Sequence, residues 1–212
     1  MTLQNRVTPL GALVAVPARG ALMGNRGGRI HDTATRTLTR RRWASRRWIC
    51  CRLTFKDRHR TVWGESYTEV FFHDEAAALA AGHRPCYECR RHDAVAFADA
   101  IRRALDLDRP PGADWLDARL HPERLTPPAD RPPAPDRMAL PEGSVVAQGQ
   151  QAFVVSGGRL YPWESFGWAN RPLDRQRLSN AVLVTPPTAF AALDAGYRVD
   201  VRIGRSRDQL KD

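Results

Sequence analysis

The sequence has almost no lysine, few cysteines and no long hydrophobic run. Its 212 residues carry a formal net charge of +10, yet Lys56 and Lys211 are the only lysines, so arginine supplies nearly all of the positive charge. The longest apolar stretch near the start, residues 10–16, contains a glycine and is too short to cross a membrane. With Arg6 as its only preceding basic residue and Pro9 directly before it, this stretch is also a poor signal peptide. We therefore predict a cytoplasmic protein without a membrane span.

The four cysteines are two close pairs, Cys50-Cys51 and Cys86-x-x-Cys89. Adjacent cysteines and a C-x-x-C spacing make a poor disulfide framework but suit metal ligation in a reducing compartment. A C-x-x-C turn brings two thiolates close enough to share a tetrahedral ion. The pattern thus predicts Cys86 and Cys89 as Zn²⁺ ligands. A redox pair and two buried, unligated cysteines are the alternatives.

A structural zinc site normally has four protein ligands, so two more are needed. On a strand, Cys50 and Cys51 face opposite sides. The face that carries Cys51 is the more apolar, so we expect it to be buried over the zinc and predict Cys51 as the third ligand. Residues 27–31 form a loop that can reach a neighbouring strand, which favours His31 as the fourth. The other candidates for the fourth position are His73, His121 and Cys50.

Local patterns predict a small α/β unit in the N-terminal half. Residues 48–55 alternate and contain β-formers, and residues 59–63 are expected to return as the second strand of a hairpin. Asp74 is a suitable N-cap for a short helix, and Gly82 is expected to end that helix with a positive φ. The C-x-x-C turn follows, and then a second helix whose apolar stripe contains Ala94, Phe97, Ala98, Ile101 and Leu105.

Residues 109–141 contain nine of the sixteen prolines and are predicted to be a long irregular connection, with short helical turns at residues 114–125. Strands are predicted beyond it at residues 145–146, 153–155, 160–161 and 182–184, then a helix capped by Thr185 and a last strand at residues 197–203. The predicted class is α+β. The predicted organisation is a zinc-binding α/β domain (1–108), a proline-rich connection (109–141) and a C-terminal β-rich unit (142–212) packed on the first.

Residues 71–90, and above all Arg84-Pro85-Cys86-x-x-Cys89-Arg90, closely resemble the second half of the Ada-type zinc domain, the methylphosphotriester-repair module of a bacterial alkylation-response protein. The resemblance implies a four-thiolate zinc site on a small α/β domain that binds DNA, and a role in DNA repair, modification or defence. The Ada module has an upstream Cys-x-x-x-Cys where this chain has Cys50-Cys51, so its methyl-accepting role is not transferred. The layout of the whole chain is also similar to that of a group of uncharacterised bacterial proteins, in which strings like Gly24-Asn25-Arg26-Gly27, Leu120-His121-Pro122-Glu123-Arg124-Leu125 and Thr185-Pro186-Pro187 recur.

The surplus of arginine predicts a polyanionic partner, because basic side chains release counterions from a phosphate backbone. One segment interleaves arginine, which contacts phosphate, with tryptophan, which stacks on exposed bases. It supplies the predicted nucleic-acid-binding residues Arg40, Arg41, Arg42, Trp43, Arg46 and Arg47. Two alternatives stay open: a GC-rich genome raises arginine content without selection for binding, and the tryptophans can pack inward while the arginines face water.

A second hypothesis is a zinc-containing hydrolase or base-modifying enzyme. His121, Glu123 and Arg124 place a base, an acid and a cation within one turn, which suits acid–base chemistry on a phosphate or carboxylate. Zinc deaminases pair His-x-Glu with Pro-Cys-x-x-Cys, and both halves occur here in reverse order. The aromatic residues 161–168 either line a pocket for a flat ligand or fill the core of the C-terminal unit. A third hypothesis is an adaptor that recruits a protein partner through its proline-rich segment.

Overall fold

Three β-sheets and four α-helices make up the part of the chain that this computed structural model describes, residues 2–58, 61–136 and 138–204. The strands are β1 (Arg6–Val7), β2 (Leu13–Val14), β3 (Leu22–Arg26), β4 (His31–Asp32), β5 (Thr37–Leu38), β6 (Trp48–Cys51), β7 (Val70–Phe72), β8 (Arg84–Pro85), β9 (Val145–Gln148), β10 (Gln151–Ser156), β11 (Arg159–Glu164), β12 (Gly167–Trp168) and β13 (Val182–Leu183). The helices are α1 (Glu75–Ala80), α2 (Arg91–Ala104), α3 (Ala113–Leu125) and α4 (Pro187–Asp194). The predicted mixed α+β class is confirmed. None of the helices within these ranges has the length and apolar character needed to cross a membrane.

Strand β6, which carries Cys50 and Cys51, lies inside the six-stranded sheet β2-β1-β7-β3-β6-β8. It pairs antiparallel with β3 on one edge and parallel with β8 on the other. Because a strand has only two hydrogen-bonding edges, no edge is left for the predicted hairpin with residues 59–63, and that prediction is wrong. The predicted return strand also begins at His59 and Arg60, which lie outside the described residues.

Helix α1 begins and ends as its sequence predicts. One carboxylate oxygen of Asp74 accepts a hydrogen bond from a backbone N–H of the first turn at 2.8 Å, and Gly82 adopts a φ of 78° just after the helix. The other carboxylate oxygen accepts from Trp168 Nε1 at 2.7 Å, which ties the cap to the C-terminal sheet. Alanines of α1 also pack in one cluster with side chains of β9, β10 and β12. The N-terminal and C-terminal units therefore share a hydrophobic core.

The proline-rich residues 109–141 are more ordered than their composition indicates, because they include the 13-residue helix α3. Leu116 and Leu120 of this helix are buried against side chains of α2 and α4. Pro122 lies inside α3, in a stretch where proline density argued for short turns only. Part of the predicted connection is thus a structural element that positions the residues around it.

The C-terminal strands form a five-stranded antiparallel sheet in the order β12-β11-β10-β9-β13. It contains the strands predicted at residues 145–146, 153–155, 160–161 and 182–184. Two finer predictions are wrong. Residues 197–203 form no ladder and make only an isolated bridge, between Ile203 and Trp168. Thr185 Oγ1 accepts from Val145 N at 2.8 Å, so it holds the sheet instead of capping α4.

Candidate functional site

Three cysteine side chains, called the thiol cluster below, meet at one end of the first sheet. Cys51 is the last residue of β6, Cys86 directly follows β8, and Cys89 ends the same turn. Because β6 and β8 are parallel neighbours with Cys50 opposite Pro85, the next residues along, Cys51 and Cys86, are brought side by side. The three sulfur atoms lie within 4.8 Å of one another. This spacing allows one metal ion to be held among them.

Backbone N–H groups point at two of these sulfurs. Arg52 N donates to Cys89 Sγ and Glu88 N donates to Cys86 Sγ, each at 3.4 Å. A hydrogen bond to the charged form of a group favours that form, and the thiolate is the form of cysteine that binds metal. The backbone around the cluster therefore favours the protonation state that a metal ligand needs.

Hydrogen bonds among the three thiols, together with burial, favour the ionisation of Cys86 and disfavour that of Cys51 and Cys89. Hydrogen bonds from Cys51 and then from Cys89 lower the pKa of Cys86 to about 2. The pKa of Cys51 is raised because it donates to Cys86 and to Cys89. For Cys89 the hydrogen bond from Cys51 acts to lower the pKa, but its own bond to Cys86 and its burial outweigh this and raise the pKa. A divalent cation stabilises all three thiolates at once, so the donor set fits Zn²⁺.

Cys50 faces the other side of β6, as strand alternation requires. Its side chain is buried, Sγ accepts from Arg90 Nη1 at 3.5 Å, and burial raises its pKa. Arg90 in turn pairs with Glu75 at 2.7 Å. The prediction that Cys51 lies on the buried face of the strand is wrong: the face of Cys50 is the buried one. Cys51 lies on the opposite face of the strand, which lines a cleft together with Cys86 and Cys89.

His31, the residue predicted as the fourth ligand, lies away from the thiol cluster. Its ring stacks on Trp63 with the ring centres 5.2 Å apart. Its Nδ1 lies 2.6 Å from Thr68 Oγ1 and its Nε2 lies 3.0 Å from Gly64 O. Both ring nitrogens thus have hydrogen-bond partners in the loop of residues 64–68. Among the residues that the structure describes, no fourth cysteine, histidine, aspartate or glutamate joins the cluster.

The thiol cluster opens onto a cleft of about 600 Å³. Apolar side chains form much of its wall, among them Ile49, Leu53 and Phe71. An ion pair between Arg58 and Glu88, 2.6 Å long, also borders it. A tetrahedral ion held by the three thiolates would have a fourth coordination position. No described cysteine, histidine, aspartate or glutamate lies close enough to occupy it.

The predicted acid–base residues lie on α3 but do not form one site. Both carboxylate oxygens of Glu123 accept hydrogen bonds from Thr188, at 2.9 Å from N and 2.5 Å from Oγ1, so they bind the N-terminal turn of α4. His121 Nδ1 instead lies 2.8 Å from Arg124 Nη2. Burial and then the charge of Arg124 lower the pKa of His121. The structure thus gives Glu123 a capping role and leaves His121 beside a cation, away from the thiols.

Within residues 161–168, Phe166 and Trp168 are buried, and Tyr161 and Trp163 are partly buried against the core of the C-terminal unit. Trp168 is 1% exposed and packs against Trp163 with ring centres 4.7 Å apart. His73, another candidate fourth ligand, lies with its ring 5.8 Å from that of Trp163, and its Nε2 is 2.7 Å from Arg202 O. Of the two interpretations of this segment, core packing is the one that the contacts support.

The predicted nucleic-acid-binding residues lie on an exposed irregular loop between β5 and β6, residues 40–47, called the arginine loop below. Trp43 is 38% exposed and contacts the rings of Trp48 and His121. Arg47 pairs with Asp114 at 3.2 Å. No ion pair with a described carboxylate is formed by the other arginines of the loop, Arg40, Arg41, Arg42 and Arg46. The segment is a cationic loop with a half-exposed tryptophan, and it is not a strand.

The buried pair Arg90 and Glu75, which supports Cys50 behind the cluster, was not predicted from the sequence. The only signal available was the position of Arg90 directly after Cys89.

Comparison of the chain with protein-family models, with curated proteins and with solved structures gave no match. The resemblance to the Ada-type zinc domain therefore stays a prediction that rests on residues 71–90.

Proposed function

We propose that this chain is a zinc protein in which Cys51, Cys86 and Cys89 bind Zn²⁺ and the arginine loop binds nucleic acid. The observation that carries the proposal is the meeting of three sulfurs within 4.8 Å. Soft thiolate ligands select zinc over magnesium, calcium or manganese. The Ada-like motif supports the same metal and favours DNA as the nucleic acid.

Metal analysis tests the zinc centre. The chain purified without added metal is expected to contain one zinc ion, and Co²⁺ exchanged for it should give the absorption of a tetrahedral site with three thiolates. Cys50→Ser is the control, because this thiol faces away from the thiol cluster and its replacement should leave the zinc content unchanged. A disulfide between Cys86 and Cys89 in a metal-free protein would reject the zinc centre in favour of a redox pair.

The arginine loop has the two features that nucleic-acid binding requires. Its arginines without ion-pair partners are available to neutralise phosphates, which releases counterions from the strand. Trp43, 38% exposed, presents part of its ring for stacking on a base. Neither the phosphate contacts nor the stacking distinguishes one base sequence from another. The loop therefore supports charge-dependent binding to nucleic acids of many sequences.

A salt titration of DNA binding tests this part of the proposal. We expect the double variant Arg40→Ala/Arg41→Ala to reduce the slope of log affinity against log salt by about 2, because each arginine removed leaves one more phosphate with its counterion. Fluorescence anisotropy with labelled single-stranded and double-stranded DNA measures the slope. Arg159→Ala/Arg198→Ala removes the same charge from exposed positions of the C-terminal unit and is the matched control. Equal slopes for the two double variants, or no dependence on salt, would contradict binding through the loop.

A further inference from the structure

A second cavity, of about 270 Å³, is lined by residues of the first sheet and of the C-terminal end of α3. Four arginines contribute to its wall, and no aspartate or glutamate does. These four, called the arginine pocket below, are Arg26 of β3, Arg42 of the arginine loop, Arg124 of α3 and Arg131. None of them forms an ion pair with a described carboxylate. Four cations that form no ion pair with a described carboxylate create a positive potential that attracts an anion.

Arg26 is the most deeply buried of the four, at 3% exposed. Its Nη2 donates to Gly11 O at 2.7 Å and its guanidinium carbon lies 4.2 Å from the centre of the Trp48 ring. Its Nε, however, makes no hydrogen bond. Burial and then the charge of Arg42 lower the pKa of Arg26 to about 9. A buried charge is unfavourable unless it is paired, so Arg26 has the environment of a residue whose anionic partner comes from outside the chain.

Arg124, on α3, has an environment similar to that of Arg26. Its guanidinium carbon lies 4.1 Å from the centre of the Trp48 ring, and Nη1 donates to Gly82 O at 2.8 Å. Burial lowers its pKa to about 9, although Asp117 acts in the opposite direction. Arg124 Nε and Arg131 Nη1 make no hydrogen bond. Three buried N–H groups of the pocket therefore lack an acceptor, whereas nearly all such groups in folded proteins have one.

The carbonyl end of a helix repels anions, and α3 ends at this cavity. Two of the carbonyl oxygens there are already occupied. Thr126 Oγ1 donates to Pro122 O at 3.2 Å, and Arg131 Nε donates to Thr126 O at 3.4 Å. The repulsion is thereby reduced, and the charged side chains among the described residues that line the cavity are all arginines.

We propose that the arginine pocket binds a phosphate group. Guanidinium groups match the oxygens of phosphate through paired, charge-assisted hydrogen bonds, and a phosphate supplies the negative charge that the four arginines of the pocket lack. Its source is either a nucleic-acid strand that lies on the arginine loop or a small phosphorylated molecule. Arg42 and Trp43 belong to both the loop and the pocket lining, which connects the two surfaces. The proposal goes beyond the proposed function and requires neither zinc nor nucleic acid.

Isothermal titration of the metal-loaded protein with inorganic phosphate, at an ionic strength held constant with chloride, tests the pocket. Arg42→Gln is expected to weaken phosphate binding about tenfold or more, because it removes a hydrogen bond between charged groups. Arg159→Gln changes an exposed arginine of the C-terminal unit that does not line the cavity and should leave the affinity unchanged. Both positions are exposed, so both variants are expected to fold.

Arg26→Met separates a ligand-binding role from a structural one. It is expected to abolish phosphate binding and yet raise the thermal midpoint measured without phosphate, because it replaces a buried unpaired cation by an apolar side chain of similar length. An arginine with only a structural role would lower the midpoint when replaced. A lower midpoint together with unchanged phosphate affinity would therefore count against the pocket.

Competition with a labelled oligonucleotide identifies the source of the phosphate. Displacement of the strand by inorganic phosphate from the wild-type protein assigns the pocket to a nucleic-acid phosphate. Phosphate binding without oligonucleotide binding assigns it to a small phosphorylated molecule, and then the nucleic-acid part of the proposed function fails while the pocket stands. The pocket itself is overturned if phosphate binds no better than chloride, or if the Arg42→Gln and Arg159→Gln variants bind phosphate equally.

Discussion

Asp117→Asn is expected to lower the free energy of unfolding by about 3–5 kcal/mol, the usual effect of breaking a buried ion pair from one side. Arg84 Nε and Nη2 donate to the two carboxylate oxygens of Asp117 at 2.9 Å and 2.8 Å. The two side chains are 6% and 0% exposed. The substitution keeps the shape of the side chain but removes its charge, so it leaves the guanidinium buried without a counter-ion.

This ion pair also fixes the position of the thiol cluster. Arg84 belongs to β8, and Cys86 follows that strand directly. Asp117 is on α3, so the pair holds the helix against the strand that directly precedes the first cysteine of the C-x-x-C turn. If the proposed Zn²⁺ is bound, we expect the Asp117→Asn protein to release it at a lower chelator concentration than the wild-type protein does.

Asp114→Asn is the matched control, since it makes the same change on the same helix. Asp114 pairs with Arg47, but these side chains are 71% and 67% exposed, and exposed ion pairs contribute little to stability. Urea unfolding of the metal-loaded proteins, followed by tryptophan fluorescence, compares the two variants. An equal loss of stability in both would show that the Arg84–Asp117 pair has no special role.

The parts of the fold that the sequence predicts are those fixed by neighbours along the chain. Asp74 can cap α1 because its side chain reaches the N–H groups of the next turn, and Gly82 ends that helix because it tolerates a positive φ. The apolar stripe of α2, with Phe97 and Ile101 fully buried, is likewise a local pattern. Each of these features needs only a few consecutive residues to be recognised.

Strand β3 shows why the first sheet could not be predicted in the same way. It contains Gly24 and Asn25, which are poor β-formers. Glycine is needed there because a Cβ at position 24 would lie 2.1 Å from Ile49 O and 2.8 Å from Phe72 Cε2. The reason for this residue is thus the close approach of β6 and β7, which are distant in sequence. Local propensity alone indicates a loop at this position.

Some residues of the candidate site can be identified from local sequence patterns, whereas others are brought together only by the tertiary structure. The C-x-x-C spacing identifies Cys86 and Cys89 locally, whereas the approach of Cys51 depends on the parallel pairing of β6 with β8. The role of Glu123 as a cap for α4 joins residues far apart in sequence, and so does the arginine pocket. In the sequence, Arg26 is one of many arginines and lies in a segment of low β-propensity. Only the tertiary structure shows that its side chain is buried.

Removal of the proposed zinc ion is expected to destabilise the chain more than any single substitution outside the thiol cluster. Binding of zinc to structural thiolate sites is worth about 10–16 kcal/mol in small zinc modules, and this free energy is coupled to folding. Here the ion would link β6 to the turn between β8 and α2. Chelation should therefore lower the thermal midpoint sharply, and added Zn²⁺ should restore it. Because the pKa values of Cys51 and Cys89 are raised, metal binding must release protons, so the metal affinity should fall as the pH falls.

Cys86→Ser and Cys50→Ser together show whether this loss comes from the thiol cluster. Cys86→Ser should have a low midpoint that no longer responds to a chelator, because the site has lost the sulfur that accepts hydrogen bonds from both other thiols. Cys50→Ser should retain the metal and respond to the chelator as the wild-type protein does, since Cys50 faces Arg90 on the opposite side of β6. Calorimetry in the presence and absence of chelator distinguishes these results. If Cys50→Ser lost the metal and Cys86→Ser kept it, the ion would be bound on the buried face of the strand and the thiol cluster would not be the metal centre.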